Sequence, residues 1–380
     1  MLSGPITRRL STLGGIAALA VIAGTAPAAA DTGLDVWPIA AVGDEPFNSN
    51  LRDVVAIGPR NAWAFGETES SHGSDPLAVR WNGRSWTTVT MPTGLGKGIS
   101  FADASSPRNV WAFGGGDPAF GDAYALRWDG RAWSVAHHWP SYTWLTDAEV
   151  LDPRDVWVFG FHPNDLDHKS WRYDGRRWAE VPTPVGRLEE ASAVAADDIW
   201  AVGRHPEGRD HDLLARWDGR TWTEVDVPGL PHEGDHMVFF DGVHAVSSRE
   251  VWVFGREYRR DGDKDTYGFL LLHFDGDGWQ KIDSPPAPRM YGVYDVASDG
   301  EGGVWVLPSI GDTPELLHYR NGQWAVSQVD LPGGPNGTVR AIAGVPHRRS
   351  AWAVGSTPVL SGTWNWTIWS NGISPRQPKP

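Results

Sequence analysis

The chain contains no cysteine, and this absence excludes several classes of protein. Its 380 residues offer no thiolate to form a disulfide, to ligate zinc or an iron–sulfur cluster, or to act as a nucleophile. Positive charge is also scarce, because 33 Lys and Arg stand against 47 Asp and Glu, giving a formal net charge of −14. An acidic molecule repels phosphate backbones, so we expect no nucleic acid among its partners.

The first 30 residues have the pattern of a secretory signal peptide. Arg8 and Arg9 form a basic start, Leu10 to Gly24 is rich in apolar and small residues, and Ala28-Ala29-Ala30 offers a cleavage site. The paired arginines fit either the Sec or the twin-arginine export route. No later segment approaches transmembrane length. We therefore predict a secreted protein without membrane insertion, in which residues 31–380 form one domain.

Tryptophan is abundant, and most of it belongs to a repeat. A short apolar segment with a central tryptophan occurs seven times, at Trp63, Trp111, Trp157, Trp200, Trp252, Trp305 and Trp352. The spacing of roughly 40 to 50 residues is that of a four-stranded propeller blade with its loops. After most of these segments comes a strand that ends in an aromatic residue, an Asn-Gly or Asp-Gly turn and a second tryptophan. The sequence therefore predicts an all-β fold, a seven-bladed β-propeller.

Two details of this fold follow from the repeat. A two-residue turn at Asn82-Gly83 would place Trp81 opposite Arg84, so that the arginine could lie on the indole. The last unit stops one strand short, while residues 34–40 precede the first complete unit, and Trp37 matches the outer-strand tryptophans. We predict that this N-terminal strand completes the last blade and removes two unpaired edges.

The unit from Val110 to Trp133 carries a family resemblance. Its Val-Trp-Ala-Phe-Gly-Gly, Arg-Trp-Asp-Gly and final Trp resemble the Kelch-like and tectonin-like repeats of secreted bacterial seven-bladed propellers. The resemblance covers nearly all of the mature chain and implies the propeller fold. Such propellers include lectins, scaffolds, oxidases and lyases, so it implies no single function. The oxidases need a Cys-modified Tyr, which this chain cannot form.

Acidic residues alternate with small apolar ones along the first strand of several units. Because side chains alternate across a strand, the polar positions should face the central channel together. They are Asp53, Asp103, Asp147, Glu149, Glu190, His244 and Asp295. Such a ring could bind a cation or supply a general acid beside a general base. The other interpretation is a water-filled channel that tolerates acids.

Histidine and aromatic residues cluster in segments that we assign to the loops of one propeller face. The candidate ligand-binding residues are His137, His138, Trp139, Tyr142, Trp144, His162, His211 and His244. Exposed aromatic side chains of this kind can stack on sugars or aromatic ligands. The alternative is a loop folded onto its own aromatics. Five tryptophans lie outside the repeat positions, namely Trp139, Trp144, Trp171, Trp364 and Trp366.

One segment formally matches a zinc-protease motif. His232-Glu233-Gly234-Asp235-His236 has the H-E-x-x-H spacing, which works when both histidines lie on one helix face. The glycine and the preceding Pro231 argue against a helix here. A loop site for a divalent metal formed by His232, Asp235 and His236 remains open, and so does calcium at the acidic ring or near residues 261–265.

These observations predict a monomeric, exported binding module that recognises a glycan or another small polar extracellular ligand on its loop face. The alternative is a secreted glycan hydrolase or lyase, with or without a metal. It would use a carboxylate pair from Asp53, Asp147, Glu149, Glu190 and Asp295.

Overall fold

The computed structural model describes residues 35–71, 73–115, 122–140, 142–162, 169–206, 212–285, 292–308, 315–331, 336–359 and 362–373. Within these ranges the secondary structure consists of strands. Strands of the N-terminus and blades 1 to 3 are β1 Asp35–Trp37, β2 Ile39–Val42, β3 Ser49–Gly58, β4 Asn61–Ser70, β5 Gly73–Trp81, β6 Trp86–Thr88, β7 Ile99–Ser106, β8 Asn109–Gly114, β9 Ala123–Trp128, β10 Trp133–Trp139, β11 Trp144–Asp152, β12 Asp155–Phe161, β13 Lys169–Tyr173 and β14 Trp178–Pro182.

Strands of blades 4 to 7 follow in the same order. They are β15 Arg187–Ala195, β16 Asp198–Arg204, β17 Leu213–Trp217, β18 Trp222–Glu224, β19 His232–Glu233, β20 His236–Ser247, β21 Glu250–Asp261, β22 Lys264–Phe274, β23 Trp279–Lys281, β24 Val293–Ser298, β25 Val304–Pro308, β26 Glu315–Arg320, β27 Gln323–Val329, β28 Thr338–Gly344, β29 Ala351–Pro358 and β30 Trp364–Asn371.

These strands form seven sheets arranged as a ring, and their pairings are antiparallel except for that of β1. The first strands of successive blades, β3, β7, β11, β15, β20, β24 and β28, are neighbours around the centre, and β28 lies beside β3. The all-β, seven-bladed propeller predicted from the repeat is therefore confirmed. No helix among the described residues is long and apolar enough to cross a membrane.

The repeated tryptophans hold neighbouring blades together. Trp63, on the second strand of blade 1, is fully buried, and its ring lies 5.2 Å from that of Trp128 and 5.4 Å from that of Trp133 in blade 2. In the same way, Trp352 of blade 7 lies 5.1 Å from Trp81 and 5.0 Å from Trp86 of blade 1. Each interface thus buries a large aromatic group, and the repetition of this contact closes the ring.

The N-terminal segment closes the ring more extensively than the sequence predicts. Strand β2 pairs antiparallel with β30 and completes blade 7, as expected. Strand β1, however, pairs parallel with β27 of blade 6, as an additional outermost strand. Trp37 lies edge-on against Trp305 at 4.9 Å, in the way that outer-strand tryptophans elsewhere lie on the preceding blade. Pro38, which has no N–H, separates the two short strands, so one segment ties blades 6 and 7.

The turn between the third and fourth strands differs from the predicted hairpin. Trp81 pairs directly with Trp86, so four residues connect the strands instead of two. The Asn82 side-chain oxygen accepts hydrogen bonds from the backbone N–H groups of Arg84, at 2.9 Å, and Ser85, at 3.1 Å. This Asx turn satisfies donors that a two-residue turn would place in the ladder. The expected register was therefore wrong.

The arginine that lies on an indole is also a different one. Arg80, immediately before Trp81, lies over Trp63 at 5.2 Å. Arg127, Arg172 and Arg216 repeat this contact in the next three blades, over Trp111, Trp157 and Trp200. Blades 5 and 6 stack His273 and His318 on the corresponding tryptophans at 4.0 Å. These cationic and aromatic side chains are part of blade packing.

Candidate functional site at the channel face

Every first strand carries a β-bulge at the same level, and these bulges shape the mouth of the channel. In blade 1 the pairing with β4 shifts between Leu51 and Asp53, which leaves Arg52 as the extra residue. A bulge redirects the side chains around it. The seven extra residues, which we call the bulge ring, are Arg52, Ser100, Thr146, Glu189, Asp241, Tyr294 and Arg340.

Below the bulge ring, the structure brings the predicted acidic residues together. Half-buried side chains line a central cavity of about 390 Å³. They include Asp53, Asp103, Asp147, Glu149, Glu190, His244 and Asp295, all seven of the residues that strand alternation placed there. The convergence expected from the sequence therefore exists in the structure, and we call these residues the channel ring.

The channel ring joins neighbouring blades by hydrogen bonds. Asp53 Oδ2 accepts the N–H of Ala102 at 2.6 Å, and Asp295 Oδ2 accepts that of Ile342 at 2.8 Å, in each case on the first strand of the next blade. The same bridge recurs from Asp103 to Val150, from Asp147 to Ala191, from Ser192 to Ala245 and from His244 to Ser298. First strands of adjacent blades share no backbone ladder, so these side chains supply the acceptors that buried N–H groups need.

Burial gives these carboxyl groups unusual acidity. It raises the pKa of Asp53 and of Asp103 to about 6, although the N–H donors oppose the change. Burial, strengthened by neighbouring carboxylates, raises the pKa of Asp295 to about 7 and that of Asp147 to about 8. The pKa values of Glu149 and Glu190 are raised well above the ordinary value for the same two reasons. A ring of this kind holds protons at neutral pH and so contains groups able to donate one.

His244 is a neutral member of the channel ring. Burial lowers its pKa to about 4. Its Nε2 accepts the backbone N–H of Ser298 at 3.1 Å, which places the ring proton on Nδ1. The sequence assigned His244 to ligand binding. In the structure it performs the same bridging task as the aspartates.

Two predicted loop residues lie in a blade interface instead. Strand β10 continues to Trp139, which is 2% exposed and lies 5.1 Å from Trp178 of blade 3. The His137 ring packs against Trp139 at 4.5 Å. The expectation that both residues stand on an open loop was wrong, because the outer strand of blade 2 has 7 residues, compared with 3 in blades 1, 4 and 5, and extends as far as Trp139. His138 is exposed on this strand, and His211 lies outside the described residues.

The remaining predicted residues of this region make ring contacts in two separate pairs. Trp144, at 39% exposed, stacks on Phe161 at 5.6 Å, and Tyr142 lies 6.4 Å from His162. Arg187 of blade 4 lies over the outer side of Phe161 at 4.0 Å. Tyr142 has a φ of 72°, a left-handed conformation that costs energy for a bulky residue.

A second open tryptophan marks a site that sequence reasoning did not assign. Of the five tryptophans outside the repeat, Trp139, Trp171 and Trp366 are buried, which leaves Trp144 and Trp364. Trp364 lines a cavity of about 700 Å³ between blades 7 and 1, and Trp144 lines one of about 560 Å³ between blades 1 and 3. Trp364 and Trp366 are two residues apart on β30 and therefore share one face, so strand alternation does not distinguish them and the sequence does not show that Trp364, at the start of the strand, is the open one.

Both cavities include Arg52 and Glu67 in their walls, and we call the two adjoining cavities together the channel-face groove. Arg52 pairs with Glu67 at 2.5 Å, and Asn50 donates to the same carboxylate at 3.1 Å. Asn48 donates to Glu69 at 2.9 Å. The floor is therefore polar and internally hydrogen-bonded, with an indole towards either end.

The predicted metal residues lie on a hairpin. Strand β19 pairs with β20 so that Glu233 faces His236 across a two-residue tip, Gly234-Asp235. His236 Nε2 lies 2.5 Å from Glu257 Oε1, and Lys281 holds the same carboxylate group. The side chain of His232 lies outside the described part. In that part, no group of three or more His, Asp or Glu residues is placed to hold a metal ion. The site at His232, Asp235 and His236 stays a prediction.

Comparisons with known proteins address the fold. No protein-family model and no curated protein matches the chain. Similar solved structures include YCF48 bound to a D1 peptide, with a TM-score of 0.57, 14% identity and coverage of 91% of this chain and 100% of that one. The β-propeller domain of the Trilobed protease from Pyrococcus furiosus has a TM-score of 0.54 and 10% identity, with coverage of 87% of this chain and 95% of that one. An ulvan lyase has a TM-score of 0.53 and 13% identity, with coverage of 86% of this chain and 95% of that one. The chain is a β-propeller. At these identities the similarity carries nothing further.

Proposed function

We propose that this protein is an exported binding module that holds a glycan against its channel face. One observation carries the proposal: the two open tryptophans outside the repeat, Trp144 and Trp364, line cavities that share Arg52 and Glu67. A groove with an indole towards either end and polar groups between them suits an extended ligand with alternating apolar faces and hydroxyl edges. A sugar chain has this character, because its rings stack on indoles and its hydroxyls need donors and acceptors.

The polar floor of the groove is organised before a ligand arrives. Glu67 is held by Arg52 and Asn50, and the hydroxyls of Thr338 and Ser356 lie 3.2 Å apart. All of these residues belong to strands of the closed ring. Binding to such a surface orders few side chains, so less of the interaction energy is lost to conformational entropy.

Export is a separate part of the proposal. It rests on the leader pattern of residues 1–30, and the absence of cysteine suits an oxidising compartment. The test is a fusion of residues 1–34 to a reporter that is active only outside the cytoplasm. Replacing Arg8 and Arg9 by lysine should abolish export by the twin-arginine route and leave export by the Sec route intact. A reporter retained inside the cell in every case would refute this part.

The binding test compares Trp144→Ala, Trp364→Ala and the double variant with the wild type, first on a glycan array and then by calorimetry with the best ligand. We expect each single change to weaken binding at least tenfold, because buried aromatic anchors contribute about 2 kcal/mol each. Tyr267→Ala is the matched control, since Tyr267 is 44% exposed on the blade 5 hairpin and lines neither cavity. Wild-type affinity in both tryptophan variants would refute the proposal that the glycan binds in the channel-face groove.

A second function has its own support in the channel ring. Asp147, with a pKa of about 8, and Asp53, with a pKa of about 6, line the same cavity and could serve as acid and base in glycan cleavage. Against this role, each uses one oxygen to accept a backbone N–H of the next blade. Asp147→Asn distinguishes the two functions, because an enzyme would lose turnover of a bound polysaccharide, whereas a binding module shows no turnover to lose.

A further inference from the structure

The charged residues of the bulge ring are paired, with one exception. Arg52 pairs with Glu67 at 2.5 Å, and Asp241 pairs with Arg256 at 2.9 Å. Glu189 pairs with Arg187 and with Arg204. Arg340, on β28 of blade 7, is exposed and has no charged or hydrogen-bonded partner among the described residues.

The carboxylates around Arg340 are already engaged. Arg340 lines both the 700 Å³ cavity and the channel mouth. In the cavity, Glu67 is held by Arg52 and Asn50, and Glu69 is held by Asn48. At the channel mouth, Asp295 accepts the N–H groups of Val296 and Ile342. In a chain with 47 acidic and 33 basic residues, an arginine without a partner in the described part is an available cation at the edge of the groove.

We propose that the channel-face groove binds an anionic oligosaccharide, and that Arg340 pairs with its carboxylate or sulfate ester group. This inference rests on the proposed glycan function and specifies its ligand class. A guanidinium offers parallel N–H donors that match the two oxygens of a carboxylate or sulfate group. Trp364 lines the same cavity, so stacking of a sugar ring and pairing of its charged substituent can occur together.

The test measures charge preference instead of affinity alone. Tetragalacturonate is compared with its methyl ester, and a sulfated carrageenan tetrasaccharide with its desulfated form, which separates carboxylate from sulfate. We expect the wild type to bind one charged form at least tenfold more tightly than its neutral partner. Arg340→Gln should reduce that preference to within about twofold. Arg340→Lys should retain part of the preference.

Arg348→Gln is the matched control, because Arg348 is exposed in the β28–β29 connection and lines none of the three cavities. Melting temperatures confirm that each variant folds. If neutral and charged forms bind equally, or if Arg340→Gln keeps the preference, the inference is wrong while the glycan function stands. If no glycan binds, both fail. Competition by a hexaglutamate peptide at equal affinity would also overturn the inference, since the groove would then select charge on a polypeptide.

Discussion

The channel ring leads to a prediction about stability and pH that runs opposite to the usual behaviour of aspartate. A carboxyl whose pKa is raised by folding retains its proton where the unfolded chain has lost it. Stability is then fully present below the unfolded pKa, near 4, and declines as pH rises towards the folded pKa. For Asp147, whose folded pKa is about 8, the decline covers the whole range from pH 5 to 7.

The size of this effect can be stated for one residue. Each pH unit over which the folded protein alone holds the proton costs about 1.4 kcal/mol, so Asp147 accounts for about 3 kcal/mol between pH 5 and 7. Asp147→Asn removes the titration and keeps an oxygen that can accept the N–H of Ala191. We expect urea unfolding, followed by tryptophan fluorescence, to show that this variant loses about 3 kcal/mol less than the wild type between the two pH values.

Two further variants make the result interpretable. Asp147→Ala leaves the Ala191 N–H without its acceptor and should cost about 1 to 3 kcal/mol at both pH values. Asp226→Asn changes an exposed carboxyl outside the channel and should reproduce the wild-type pH dependence. Equal pH slopes in Asp147→Asn and the wild type would show that Asp147 is ionised in the folded protein, and the argument from burial would be refuted.

Three other expectations concern the scaffold. Deleting residues 35–42 removes Trp37 and one outer strand from each of blades 6 and 7. This deletion should lower the free energy of unfolding by more than about 4 kcal/mol. An unchanged melting temperature would contradict the proposed closure of the ring. Trp111→Ala, at a fully buried interface position, should cost about 3 to 5 kcal/mol, whereas Trp144→Ala should cost about 0.5 or less in the same denaturation assay. Asp218→Ala removes the acceptor for the N–H groups of Arg220 and Thr221, which also lower the pKa of Asp218, and calorimetry should show a lower melting temperature than the wild type above pH 4.

The fold could be predicted because the information that determines it is local and repeated. Most units place an apolar tryptophan at the centre of one strand and two aromatics on the strands after it, and stacking the blades buries these side chains against one another. The convergence of the channel ring followed from strand alternation alone. Neither inference needed knowledge of contacts between distant residues.

The features that escaped prediction depend on such contacts. The turn at Asn82 is determined by side-chain acceptors for two N–H groups, which outweigh the hairpin preference of Asn-Gly. The parallel pairing of β1 with β27 exists only once blade 6 is folded. The bridging role of the channel carboxylates depends on N–H groups of the next blade, 44 to 49 residues away along the chain. Trp139 was expected on a loop and is buried instead, because strand β10 extends as far as this residue.

The bridging hydrogen bonds also argue against the calcium site that the sequence allows at the channel ring. Calcium binds ionised carboxylates, so a calcium site in the channel would make stability rise with pH, and chelation would lower the melting temperature. In the structure, Asp53, Asp147 and Asp295 use oxygens to accept N–H groups of the next blade, and raised pKa values favour their protonated forms. We therefore expect EDTA to leave the melting temperature at pH 7 unchanged. An increase of more than about 2 °C in the melting temperature on adding calcium, lost in Asp147→Asn but kept in Asp226→Asn, would show that the channel ring is a metal site. Asp226→Asn is the control because it retains every channel carboxylate.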